Sequence, residues 1–197
     1  QDMEFINSDI SELITDSKDG LIRVAEIVKG LKLFSRVDSD EMQSYNLNDC
    51  VRTTLAMVNN QLKYICSVET HLGSIPHIMM NMGKISQVVT NLLINAGQAI
   101  ESTGVQGTIT ITTREFDGSV ELSIQDTGCG IESSHLDKLF NPFFTTKPEG
   151  QGTGLGLSIS FGIAQEHGGT LHASSKDGEG SCFTLCLPIH NPLDDNA

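Results

Sequence analysis

Residues 108–125 alternate between apolar and polar side chains, and the alternation breaks at a single dipeptide, Asp117-Gly118. The runs on either side, TITITTREF and SVELSIQ, each have the period of two expected of a strand with one buried face. Asp-Gly between two such runs is a strong hairpin signal, because both turn residues must adopt positive φ. An antiparallel hairpin is therefore the nucleus around which the remaining elements must be placed.

Other segments supply the partners for that hairpin. Helices are predicted over 47–62, with Asn46 or Asn48 as cap, and over 81–102. Ile85, Val88, Val89, Leu92, Leu93, Ala96 and Ile100 form the apolar face of the second helix. Strands are predicted over 64–72, 75–80, 170–174 and 181–187, and a helix of about twelve residues follows Gly156. This mixture lacks a βαβ rhythm and reads as an α+β fold, a two-layer sandwich of one sheet with helices on one face. Residues 37–43 read as a polar hinge, and the tail after Pro188 as frayed. The first 36 residues read as one long helix, roughly 54 Å at 1.5 Å per residue. Met3, Ile10, Val24 and Leu31 share one heptad position, and Ile6, Leu13, Ile27 and Phe34 share another. Such a stripe needs a cover, and a partner helix from a second subunit is the expected one.

Composition removes several function classes. Twelve Lys and Arg against 25 Asp and Glu leave a net charge of −13, which opposes general binding to nucleic acid. No run of about 20 apolar residues occurs, so no membrane span or membrane contact is expected, and no secretory leader is expected. The five cysteines show no CxxC spacing, which favours a reducing, cytoplasmic setting. Cys182 and Cys186 are expected to share one strand face as core filler.

Four motifs carry chemistry. Asp126-Thr127-Gly128-Cys129-Gly130-Ile131 directly follows a predicted strand. A strand-end carboxylate can accept a hydrogen bond from an exocyclic amine while glycines let backbone close around a flat ring; a plain turn is the simpler reading. The run from Gly150 to Ser158 places Gly152, Thr153, Gly154, Leu155 and Gly156 at the start of a helix, where free N–H groups favour phosphate. It is neither a dinucleotide fingerprint nor a P-loop. Asn91 and Asn95 lie four apart on one helical face, suited to hydrated Mg²⁺ and phosphate or else to solvent. The aromatic stretch of Phe140, Phe143 and Phe144 leads to Lys147, a point charge able to reach phosphate from a lid.

In this order and spacing, Asn95, DTGCG at 126–130, FNPFFTTK at 140–147 and GTGLGL at 152–157 resemble the N, G1, F and G2 boxes of sensor histidine kinases. These belong to the wider GHKL ATPases, with gyrase, heat-shock chaperone and MutL. NLLINAGQAI with PFFTTK is most similar to the nitrogen-regulator-type subgroup. The resemblance covers residues 45–188, and RVAEIVKGLKLFSR at 23–36 is similar to the second helix of the dimerisation domain. It implies a mixed sheet of the GHKL type, with 1–42 as dimerisation helix plus linker, 43–188 as ATP-binding catalytic domain and 189–197 as tail. It implies ATP and Mg²⁺ as cofactors and protein-histidine kinase activity. The partners it implies are a second copy, joined through the N-terminal helix, and the receiver domain of a response regulator.

By position, the resemblance implies that Asp126 binds the adenine amino group and that Gly128, Gly130 and Ile131 shape its pocket. Asn95 ligates Mg²⁺, and Asn91 approaches phosphate or metal. Phe144 belongs to the lid, and Lys147 touches phosphate. Gly152, Thr153, Gly154, Leu155 and Gly156 form the phosphate-facing turn. Gln98 is counted with the nucleotide-binding residues; it stands where many histidine kinases have a Lys, so it brings hydrogen bonds but no charge. The family's phosphoacceptor, a His followed by an acid with Asn or Pro five residues on, is matched by none of the six histidines. His71 precedes Leu72 and Gly73, and His77, His135, His167, His172 and His190 lack the context. The expected protein is thus a catalytic fragment that binds Mg-ATP for transfer to a His outside this chain. A degenerate nucleotide-binding or dimerisation module is the alternative.

Overall fold

The structure, a computed structural model, describes residues 41–148 and 152–190. The predicted N-terminal helix with its expected dimer surface, most of the expected hinge and the last seven residues lie outside the described residues.

The chain runs β1 (Gln43–Tyr45), α1 (Leu47–Leu62), β2 (Cys66–Leu72), β3 (Ile78–Met80), α2 (Met82–Glu101), β4 (Gly107–Phe116) and β5 (Ser119–Asp126). After these come α3 (Ser133–Leu136), α4 (Gly156–Glu166), β6 (Thr170–Lys176) and β7 (Gly180–Pro188). The main sheet has the order β2-β4-β5-β7-β6, with β2 parallel to β4 and every other pair antiparallel. The hairpin turns where expected. Asp117 (φ 50°) and Gly118 (φ 72°) are both left-handed, as a two-residue turn between right-twisted strands requires.

Strand parity then decides the layers. Ile109 and Ile111 of β4, Val120, Leu122 and Ile124 of β5, Leu171 of β6, and Phe183, Leu185 and Leu187 of β7 are all buried. They meet the apolar face of α2, whose seven expected residues are buried with them. Burial of such side chains, worth roughly 1.5–3 kcal/mol each, holds the two layers together. Asn81 caps α2, its side chain accepting from Lys84 N at 2.9 Å.

Several expectations are corrected. The sheet is not single: β3 pairs with β1 in a separate two-stranded ribbon. The predicted strand at 75–80 starts only at Ile78. Pro76 has no N–H to give to a ladder, and the carbonyls of Gly73 and Ile75 are taken by the Asn48 and Asn46 side chains at 2.9 and 3.1 Å. Asn46, not Asn48, caps α1. The strand predicted from residue 64 begins at Cys66, because Ile65 N still bonds to Leu62 O of the helix end. Gln43, the last residue of the expected hinge and the first of the expected ATP-binding domain, opens β1, and Ile189, assigned to the tail, donates to Gly118 O at 3.0 Å. Cys182 and Cys186 do share a face, but it is the one opposite the core. They alternate with Phe183 and Leu185 and are only partly buried.

One polar contact ties the two main helices end to end. His167, 2% exposed at the end of α4, accepts from Asn81 N through Nε2 at 3.0 Å and donates from Nδ1 to Ile163 O at 2.7 Å. Only the neutral ring does both. Burial pushes its pKa below the ordinary 6.5; the Ile163 carbonyl and Glu166 pull it up and Lys84 pushes it down. The unfolded chain therefore takes up the proton more readily than the folded one. The stability this ring contributes is complete above the unfolded value and is lost as pH falls through 6.5 toward the lower folded value. Melting temperatures between pH 7.5 and 5.5 should fall in the wild type, and His167→Gln should flatten that slope; equal slopes would refute the assignment.

Candidate functional site

The parity that buries Val120, Leu122 and Ile124 also turns Asp126, the last residue of β5, to the core side. Its carboxylate is 2% exposed. Oδ1 accepts from Gly128 N at 2.8 Å and from Ser181 N at 3.3 Å. No described residue donates to Oδ2, so one oxygen is left for an incoming donor. Burial raises the Asp126 pKa above its ordinary value, and the Gly128 and Ser181 N–H groups draw it back down.

The loop after Asp126 is pressed against α2. Cys129 N donates to Ala99 O at 3.1 Å. A Cβ on Gly128 would lie 2.6 Å from the Ala99 carbonyl carbon, so only glycine fits this approach. Gly130 sits against the Lys176 carbonyl. Ile131 is fixed by its N–H on Ser175 Oγ at 2.8 Å and packs at the edge of the core.

Eight residues earlier, about 12 Å along the same helix, Asn91 donates through Nδ2 to Gly156 O and Ser160 Oγ, both at 3.2 Å. This amide thus docks the start of α4. Leu155 caps α4 with no side-chain hydrogen bond, so the first N–H groups of the helix remain open to an anion. Leu155 N itself takes Thr153 Oγ1 at 3.3 Å.

Between these two points lie Asn95 and Gln98. The Lys147 ammonium donates to Asn95 Oδ1 at 3.4 Å and to Gln98 Oε1. Burial lowers the Lys147 pKa. Its backbone N–H bonds to Thr145 Oγ1 at 3.2 Å, and Gly152 lies close by, where a Cβ would meet that hydroxyl at 2.8 Å. Phe144 is half-buried, its ring 5.6 Å from that of His135. Phe143 is 71% exposed with φ 68°, and its N–H bonds to Gly154 O at 2.9 Å. Gly154 has φ 64°, and a Cβ there would stand 2.3 Å from the Phe143 carbonyl carbon; two left-handed residues brace one another.

The structure thus brings the candidates into three groups along one helix. Asp126, Gly128, Gly130 and Ile131 lie at the Ala99 end. Asn95, Gln98, Lys147 and Gly152 come next along it, and Asn91 and Gly156 lie at its midpoint with Leu155 and Thr153. Residues outside the expected set also take part: Ser181 and Ala99 through their backbone, Ser160 and Ser175 through their hydroxyls. The backbone contributions leave no mark on residue type. Gly180, whose Cβ would stand 2.0 Å from Asp126 O, is the one sequence signal of that close approach.

Among the described residues, no three His, Cys, Asp or Glu side chains are grouped to hold a metal. Asn95 Oδ1 is a hard oxygen donor without a carboxylate beside it. Such a set suits Mg²⁺, which keeps its waters and is carried on phosphates, and does not suit a resident ion caged by protein.

The sequence matches the family described as histidine kinase-, DNA gyrase B-, and HSP90-like ATPase over residues 81–191. It is 34% identical over 192 residues to the sensor histidine kinase ZraS of Escherichia coli strain K12, covering 92% of this chain and 38% of that protein. It is 37% identical over 173 residues to the signal transduction histidine-protein kinase AtoS of the same strain, covering 85% and 27%. The chain thus spans well under half of these relatives. Among solved structures it resembles the catalytic domain of histidine kinase ThkA, with TM-score 0.66 and 32% identity over 76% of this chain and 96% of that one. It also resembles ThkA in complex with the response regulator protein TrrA, with TM-score 0.70 and 28% identity over 88% and 49%.

The close approach at Gly128 can be tested directly. Gly128→Ala should displace the loop from Ala99 and cost about 1–3 kcal/mol. Gly162→Ala, inside α4 with nothing within 4 Å of its Cβ, should stabilise by up to about 1 kcal/mol. Urea denaturation reads both, and a neutral Gly128→Ala would show that the loop is not held as described.

Proposed function

The chain belongs to the histidine kinase-, DNA gyrase B-, and HSP90-like ATPase family, and from that premise we propose that it is the ATP-binding catalytic part of a sensor histidine kinase. The observation that carries this reading is the buried Asp126 carboxylate, with Oδ1 saturated by Gly128 and Ser181 and Oδ2 without a donor. An exocyclic amine is the ligand group that completes it, and the glycines at 128 and 130 let the loop pack closely on Ala99 and Lys176 and so fix the wall beside that carboxylate. From there α2 leads past Asn95 and Lys147 to the uncapped start of α4, a path suited to a triphosphate.

In this reading Asn95 offers Oδ1 to Mg²⁺, Lys147 reaches the phosphates, and Gly152, Thr153, Gly154, Leu155 and Gly156 form the turn around them. Mg²⁺ supplies charge compensation on the phosphoryl oxygens. Gly130, Ile131 and Phe144 bound the base side of the cleft. A His imidazole from outside this chain attacks the γ-phosphorus in line, the bond to the β,γ-bridging oxygen breaks, and ADP leaves. The phosphoryl group then passes to an Asp of a response regulator.

Asn91 favours transfer over hydrolysis. Its amide accepts no proton at neutral pH, so it cannot act as base toward a water, and its Nδ2 is already committed to Gly156 and Ser160.

For the whole protein we read 1–42 as the second dimerisation helix with its linker, 43–188 as the ATP-binding domain and 189–197 as the tail. The working form is a homodimer joined through the first segment, with its catalytic part in the cytoplasm. No helix among the described residues is long and apolar enough to cross a membrane.

Calorimetric titration with ATP, with and without MgCl₂, tests this reading. Wild type should bind in a Mg²⁺-dependent manner. Asp126→Asn should weaken binding about 10- to 100-fold, the cost of replacing a charged acceptor. The bound protein should phosphorylate a supplied dimerisation helix carrying its His. No nucleotide binding at all would leave a degenerate module, and fast turnover without any His partner would indicate a hydrolase.

A further inference from the structure

Two amide oxygens one helical turn apart on α2 converge on a single ammonium. Lys147 Nζ lies on Asn95 Oδ1 at 3.4 Å and on Gln98 Oε1. Asn95 Oδ1 is the same atom assigned above to Mg²⁺, and an ammonium and a metal ion brought together on one neutral oxygen repel each other. Building on the magnesium-nucleotide reading, we propose that Gln98 is a positioning residue that holds Lys147 as a place-keeping cation on Asn95, so that magnesium nucleotide loads by exchanging one cation for another.

The chemistry of the three groups supports an exchange and argues against a permanent tie. Both partners of Lys147 are neutral, so the contact is between a charge and two dipoles and lacks the Coulomb energy of an ion pair. Lys147 is half-buried, which raises the energy of leaving its ammonium unpartnered and favours some acceptor over none. Phosphate oxygens are better acceptors than amides for a cation. As Mg²⁺ takes Asn95 Oδ1, Lys147 moves to the phosphates, and Gln98 loses its partner. The Gln98 contact thus exists before loading and not after, so it raises the Mg²⁺ concentration needed for loading. This differs from the role expected by resemblance, in which Gln98 itself faces the nucleotide.

The two roles have opposite signs, and a double-mutant cycle separates them. The probe is AMPPNP at saturating concentration, titrated with MgCl₂ by calorimetry. Gln98→Leu should lower the half-saturating Mg²⁺ concentration about three- to tenfold. In a Lys147→Met background the same substitution should change nothing, because the side-chain partner that Gln98 has among the described residues is gone. Backbone amide exchange of Thr146 and Lys147, measured without nucleotide, should rise in Gln98→Leu. Weaker Mg²⁺-dependent binding in Gln98→Leu, or the same effect of that substitution in both backgrounds, would overturn the proposal, as would no change in any reading. Absence of Mg²⁺-dependent AMPPNP binding in the wild type would instead refute the functional reading beneath it.

Discussion

Helix α2 must bury seven apolar residues against the sheet while presenting three amides, Asn91, Asn95 and Gln98, along a neighbouring line. Asn91 and Asn95 are half-buried and Gln98 is exposed; a half-buried amide without partners is costly, so the segments that supply partners to the first two are drawn to this helix. Asn91 takes the start of α4 through Gly156 and Ser160. Asn95 and Gln98 take Lys147. Ala99 O, one residue further on, takes the Cys129 N–H and so anchors the loop that follows Asp126. The same helix that organises the core also spaces the parts of the site, and the packing of one depends on the placement of the other.

At the end of β5 the same logic works through strand parity. A carboxylate at a core-facing position is expensive, and Asp126 retains one oxygen without a protein donor. Two backbone N–H groups reduce the cost of Oδ1 but leave the carboxyl with a raised pKa. An apolar residue in this place would pack more cheaply, so the arrangement gains meaning only when a donor from a ligand completes it. On the proposed reading, the ligand's donor offsets that local cost.

Much of this was legible in the residues, and the failures have physical causes. The hairpin was readable because Asp117-Gly118 carries its own conformational preference. The face of α2 was readable because seven apolar positions repeat at helical spacing. The ribbon between β1 and β3 was not: three-residue strands carry too little periodicity, and Asn46 and Asn48 lock the 73–75 turn through contacts that only tertiary structure creates. Cys182 and Cys186 were misplaced because their spacing shows a shared face without saying which. The alternation with Phe183, Leu185 and Leu187 settles that point. In the site, the residue types of Asp126 and Asn95 announced their chemistry. The backbone donors at Ser181 and Ala99 had no type-specific signal, and the partner of Gln98 lies 49 residues away along the chain.

A protein with net charge −13 that is to hold a polyanion faces a repulsive background field. Two positive features among the described residues near the cleft are the start of α4, which no side chain caps and whose partial charge comes from backbone, and Lys147. How Lys147 is kept matters as much as its presence. Were Asn95 and Gln98 carboxylates, they would bind the ammonium as an ion pair and repel the phosphates as well. Neutral amides do neither. They give the ammonium enough to hold a position over α2, too little to compete with phosphate oxygens, and one of them is free to serve a metal once the ammonium has left. The choice of amides over acids along α2 is therefore what allows an acidic chain to store a cation close to the cleft without neutralising it.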